Sequence, residues 1–130
     1  MEFLEEFGNS KGLGIIKGKV RKFPALNNFE KPLKVPHIGW NTVTPSLQNP
    51  EKDNSPLGNL AGENFFYFVH SYFVDPTDKS VQLTNTNYGG KEFTSSVFHR
   101  NIFACQFHPE KSGYDGIEVY KKWVTLNKLA

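Results

Sequence analysis

Asn101-Ile102-Phe103-Ala104-Cys105-Gln106-Phe107-His108-Pro109-Glu110-Lys111-Ser112 is the stretch on which the reading of this chain turns. Residues 101–107 read as a buried-looking strand. Pro109 cannot donate to a sheet ladder, so it ends that strand and stiffens the turn carrying Glu110. His108 and Glu110 stand two positions apart, and in extended backbone such side chains share a face. A carboxylate at that distance fixes the tautomer of the imidazole and stabilises its protonated form. This is the base-and-orienter half of a nucleophilic triad. The nucleophile has to come from elsewhere.

Working outward, residues 81–86, 92–97 and 101–107 read as an antiparallel set. Its turns fall at Tyr88-Gly89-Gly90 and at His99-Arg100-Asn101. Residues 65–74 are the most apolar run and predict a central strand, ended by the turn Asp75-Pro76-Thr77-Asp78. Residues 12–23 predict a strand with a glycine-marked bend, 24–36 a connector, and 37–43 a short strand with Trp40 and Val43. Residues 44–62, rich in Pro, Asn, Ser and Gly, predict an exposed loop. Residues 114–128 predict a closing helix with Ile117, Tyr120, Val124 and Leu126 toward the sheet. At the other end, Phe3, Leu4 and Phe7 before Gly8 read as the tail of a helix over residues 2–7. A strand-rich chain with one closing helix leaves a sheet face without evident cover. Either the sheet packs on itself or a further layer comes from elsewhere.

A length of 130 residues fits one domain or most of one, and twelve Phe, five Tyr and two Trp can fill a core. The net charge is only +2, and the one basic run, Lys17-Gly18-Lys19-Val20-Arg21-Lys22, alternates like a solvated strand face. Nucleic acid is therefore not an expected partner. No apolar run reaches membrane-spanning length, and Met1-Glu2-Phe3-Leu4-Glu5-Glu6 lacks the basic start of a signal peptide. A lone Cys105 forms no internal disulfide and fits a reducing cytoplasm. His37, His70, His99 and His108 with that cysteine show no zinc-ligand spacing, so no metal or cofactor is expected.

Three ordered motifs carry a resemblance. Phe107-His108-Pro109-Glu110-Lys111-Ser112 resembles the His-x-Glu end of class I (triad) glutamine amidotransferases. Pro36-His37-Ile38-Gly39-Trp40-Asn41 and Tyr67-Phe68-Val69-His70-Ser71-Tyr72 narrow it toward glutaminase subunits of imidazole glycerol phosphate synthase and their paralogues. Glu5-Glu6-Phe7-Gly8 and Lys11-Gly12-Leu13-Gly14 resemble the segment after the nucleophile elbow of that family. The resemblance implies an α/β, flavodoxin-like amidotransferase domain. Residues 1–130 would be its C-terminal part, strand-rich and closed by a helix.

The same resemblance implies hydrolysis of glutamine to supply ammonia to a cyclase/synthase partner, a (β/α)8 barrel, in histidine biosynthesis. His108 would be the base and Glu110 its orienter. Ser71, Tyr72 and Glu6 would meet the amino-acid end of glutamine. His37, Trp40, Asn41, Tyr67 and Lys111 would lie near the partner interface. One departure is large: the Gly-x-Cys-x-Gly elbow that bears the family's nucleophile is not in these residues. Cys105 lies three residues before His108 inside a strand, where extended backbone sends the two side chains to opposite faces, and it reads as a packing residue. This chain by itself is therefore expected to be inactive and poorly stable. Alternatives are a paralogue supplying ammonia for amino sugars of surface polysaccharides, and an inactive fragment that at most binds a partner.

Overall fold

Seven phenylalanines set the core. Phe23, Phe66, Phe68, Phe73, Phe93, Phe98 and Phe107 are buried together with Val43, Leu57, Leu83 and Val119. The computed structural model describes residues 1, 3–4, 10–58, 60 and 64–127. Its strands are β1 (Phe3–Leu4), β2 (Ser10–Lys11), β3 (Gly18–Lys22), β4 (His37–Pro45), β5 (Asn64–His70), β6 (Tyr72–Pro76), β7 (Gln82–Tyr88), β8 (Lys91–His99) and β9 (Ile102–Cys105). One helix, α1 (Gly113–Leu126), follows. Among the described residues the strands form one sheet in the order β2-β1-β3-β6-β8-β7-β4-β5, with β9 beside β8. β1 runs parallel to β3, and the other pairings are antiparallel. β8 is the hub, bonded to β6, β7 and β9, and residues 93–98 are buried along it. The chain is thus strand-rich with a C-terminal helix, as its sequence predicts.

The apolar run over residues 65–74 is two strands rather than one. The chain breaks at Ser71, whose carbonyl accepts from the Phe23 N–H at 3.2 Å. β5 then pairs with β4 at the end of the sheet, while β6 pairs with β3 and β8 nearer its middle. Hydropathy could not find this break, because both halves feed Phe66, Phe68 and Phe73 into one core. At the N-terminus, Phe3 and Leu4 pair with Lys19 and Val20 as strand where a helix tail was expected. The rest of that expected helix lies outside the described residues.

The expected exposed loop over 44–62 is in part buried. Ser46, Asn49, Ser55 and Leu57 are each at most 5% exposed. Asn49 staples it down, its Nδ2 donating to the carbonyls of Val81 (3.2 Å) and Phe98 (3.0 Å). Three of the four residues expected on the sheet side of the helix are also corrected, while Val124 is half-buried. Ile117, Tyr120 and Leu126 are about half exposed, whereas Gly116 and Val119 face inward. Gly116 sets this rotation: a Cβ there would stand 1.8 Å from the carbonyl oxygen of Pro109. The helix therefore seats directly on the turn that follows β9. Sheet surface remains uncovered on the outer face of β4 and β5, where Ile38, Trp40, Phe65 and Val69 lie exposed. A second uncovered surface is an apolar groove of about 350 Å³ lined in part by Ile15, Ile16, Val74, Ala104 and Cys105.

Candidate active site

β9 ends at Cys105, and the backbone then alternates between the core and solvent. Phe107 is 2% exposed and packs on Phe66, ring centroids 4.4 Å apart. Pro109 is buried as well. His108 and Glu110, between and beyond these anchors, emerge together. Their side chains pair, His108 Nδ1 to Glu110 Oε1 at 2.8 Å, and are 37% and 50% exposed. A carboxylate only accepts, so Nδ1 carries the hydrogen and Nε2 is the acceptor of the neutral ring. The Glu110 carboxyl is held below the usual carboxylate range, first by its own backbone N–H and then by His108. It remains ionised and keeps the ring in that tautomer.

The turn is held by bonds that the sequence did not announce. The His108 N–H donates to the Tyr67 carbonyl at 2.9 Å, tying the turn to β5. Ser112, 3% exposed, donates its hydroxyl to the His108 carbonyl at 2.6 Å and accepts from the Tyr67 N–H at 3.0 Å. One hydroxyl thus links strand, turn and helix start. Tyr120 reaches back from α1 with its hydroxyl 3.4 Å from Glu110 Oε2, a long contact that touches the second carboxylate oxygen. Ser112 was visible within its motif, but nothing in a hexapeptide shows that its hydroxyl closes the turn.

The remaining site residues lie in different places. Ser71 and Tyr72 occupy the bend between β5 and β6 and are half-buried. Trp40 and Tyr67 stand opposite one another in the β4–β5 register, rings edge to face at 6.0 Å, with Lys111 exposed on the turn beyond His108. Asn41 is half-buried beside them and donates to the Asn87 carbonyl at 2.9 Å. His37 corrects its expectation. It is 2% exposed, stacked against Tyr88 and Phe68, so its ring lies beneath the rim and presents nothing to a partner. Glu6 lies outside the described residues. Cys105 is half-buried, and burial together with the nearby Glu110 charge pushes its thiol up to about 12. Such a thiol is not a nucleophile at neutral pH. Among the described residues no cluster of metal-ligating side chains forms. No described helix is long and apolar enough to cross a membrane.

The class-I glutamine amidotransferase family model matches residues 6–124, which include the whole of this turn and the bend at Ser71. The chain belongs to that family. It is 42% identical to imidazole glycerol phosphate synthase subunit HisH 1 of Methanococcus maripaludis, over 97% of this chain and 56% of that protein. It is 40% identical to subunit HisH of Prochlorococcus marinus, over 93% of this chain and 54% of that protein. The chain thus spans about half the length of the curated relatives it matches. Among solved structures it resembles a GMP synthase subunit of Thermoplasma acidophilum, with a TM-score of 0.60 at 17% identity. That match covers 86% of this chain and 49% of the other. At that identity the likeness concerns the fold alone.

Proposed function

We propose that this chain supplies the base and its orienter to a glutaminase of the imidazole glycerol phosphate synthase type, which releases ammonia for a cyclase/synthase partner. The observation that carries the reading is the His108–Glu110 pair. It is a 2.8 Å contact, tautomer-fixing and half-exposed, on a turn anchored from three sides. In this reading residues 1–130 are the C-terminal part of a single amidotransferase domain. The uncovered groove along Val74 and Ala104 is where further polypeptide of that domain packs.

The chemistry follows from the ring's orientation. His108 Nε2 accepts the proton of a cysteine thiol borne on polypeptide beyond these residues. The thiolate attacks the carboxamide carbon of glutamine. As the tetrahedral adduct collapses the C–N bond breaks, and the imidazolium returns its proton to the departing nitrogen, giving ammonia and a glutamyl thioester. Water, deprotonated by the same nitrogen, then releases glutamate and restores the thiol. Glu110 stays ionised throughout and stabilises each imidazolium. Ser71 and Tyr72, with Glu6, hold the amino-acid end of the substrate. Trp40, Asn41, Tyr67 and Lys111 form the rim over which ammonia passes to the partner. Aromatic and basic residues suit such a rim.

The test is complementation. The 130-residue chain is mixed with the portion of Methanococcus maripaludis HisH 1 that it does not match, and glutamate release is followed. Turnover by the mixture, absent from either piece and abolished by His108→Asn, is the expected result. Turnover that His108→Asn leaves intact overturns the assignment.

A further inference from the structure

Beneath the rim lies a second histidine pairing that the proposed glutamine chemistry does not use. His37 and His70 are partners in the β4–β5 register, and His37 Nδ1 stands 2.8 Å from His70 Nε2. His70 Nδ1 lies 2.7 Å from the carbonyl oxygen of Tyr72. A carbonyl can only accept, so His70 Nδ1 carries the hydrogen. In the neutral ring Nε2 is then an acceptor, and His37 Nδ1 must donate to it. His37 Nε2 is left to accept, and Asn41 Nδ2 lies 3.2 Å away to donate. A single carbonyl thus fixes the role of every atom in the run from Asn41 through His37 and His70 to Tyr72.

The surroundings keep both rings neutral. His37 is sandwiched by Tyr88 and Phe68 at 4.1 and 4.9 Å, and His70 meets Phe23 and Phe93 at 5.1 and 5.2 Å. Apart from each other, the titratable groups facing them among the described residues are Tyr88 on β7, against His37, and His108 on the turn after β9, whose charge reaches His70. Among the described residues no carboxylate hydrogen-bonds either ring, and burial outweighs the support that the Tyr72 carbonyl gives a proton on His70. A phenylalanine would fill this aromatic cage as well as a histidine does. Packing alone does not call for two imidazoles with every nitrogen engaged.

We propose that the His37–His70 pair is a positioning device that locks the Ser71–Tyr72 bend in register with Asn41 on the rim. It thereby ties the glutamine-contacting segment to the partner-facing edge. The statement about what the bend and rim contact rests on the function proposed above. The mechanical link rests on the geometry. Both histidines are positioning residues, and neither is assigned a contact with substrate.

The test uses the 130-residue chain with isotope-labelled histidine, read by nitrogen NMR. At neutral pH both rings should show hydrogen on Nδ1 and a lone pair on Nε2, opposite to the preference of free imidazole side chains. On acidification the amides of Ser71 and Tyr72 and the side-chain amide of Asn41 should shift together with both rings, well below the pH at which a free histidine titrates. His70→Asn keeps a donor near the Tyr72 carbonyl, whereas His70→Phe removes it. Amide exchange over residues 71–73 should rise roughly 10-fold in the second variant and stay near wild type in the first. If His70→Phe does not fold, the wild-type tautomers and joint titration still decide the matter. An Nε2–H tautomer on either ring, or a bend indifferent to their titration, overturns the device. In the complemented mixture, a glutamine-induced shift at Ser71 and Tyr72 supports the functional half. Its absence there overturns the bend as a binding segment, and with it the functional half alone.

Discussion

Two histidine pairings sit close together in this molecule and are built in opposite ways. His108 and Glu110 are two residues apart, half-exposed, and joined through a charge. His37 and His70 are 33 residues apart, buried, and joined by a hydrogen bond between rings held neutral by their surroundings. The first holds its ring against a carboxylate, as a catalytic base with an orienting partner should. The second resists a proton, as a structural element in an apolar cage should. A histidine's surroundings, more than its presence in a motif, decide which of these it does.

The sharpest way to break the contrast is to remove each imidazole and ask what fails. In the complemented mixture His108→Ala should lower glutamine turnover by about 10²–10⁴-fold, the usual worth of a general acid–base group. Glutamate release measures it, with the thermal melt of the mixture as a control. A loss of tenfold or less would mean that the exposed dyad is not the base.

Acid should separate the two pairings next. The His37 pKa is lowered to about 4, mainly by burial and then by repulsion from His70, and His70 is lowered as well, again chiefly by burial. Between about pH 6.5 and 4 the unfolded chain binds protons that the folded chain refuses. Stability is therefore full above the free-imidazole range and is lost as pH falls toward 4. The loss from His37 alone is on the order of 3 kcal/mol. Urea melts from about pH 7.5 to 4 check this. In His37→Phe that pH-dependent part should shrink, and a profile unchanged by the substitution would contradict the neutral pair.

These pairings were not equally legible. His108 and Glu110 could be read because strand alternation and one proline act over three residues. The His37–His70 pair needs the β4–β5 register, which in turn depends on a connection of some twenty residues that reads as loop yet carries the buried staple Asn49. The same distinction explains the break at Ser71: local apolarity marks both β5 and β6 as strand but holds nothing about which neighbours each will take. It explains the helix too. Its apolar stripe suggested Ile117 and Tyr120 as the inward face, and the close approach of Gly116 to Pro109 turned Val119 inward instead. Features fixed by backbone geometry within a few residues were readable. Features fixed by a distant partner were not.

Ser112→Ala should show how far the turn depends on such a distant partner. It removes the hydroxyl that serves both the His108 carbonyl and the Tyr67 N–H, leaving that part-buried N–H without its partner. The cost should be about 1–3 kcal/mol in a urea melt. Because His108 remains present but its turn loosens, turnover in the mixture should fall less than in His108→Ala. Equal losses would place Ser112 in the chemistry itself.

The smallest expected effect is the most informative about the contrast. Glu110 is well exposed, and its pairing with His108 is open to water and salt, where ion pairs contribute little to folding. Glu110→Gln should therefore leave the urea midpoint where it was while reducing turnover, because a neutral amide can still accept from Nδ1 but cannot stabilise the imidazolium. An unchanged midpoint with reduced turnover separates a pair that serves chemistry from one that serves shape. A lowered midpoint with undiminished turnover would reverse that assignment and leave both pairings as structure.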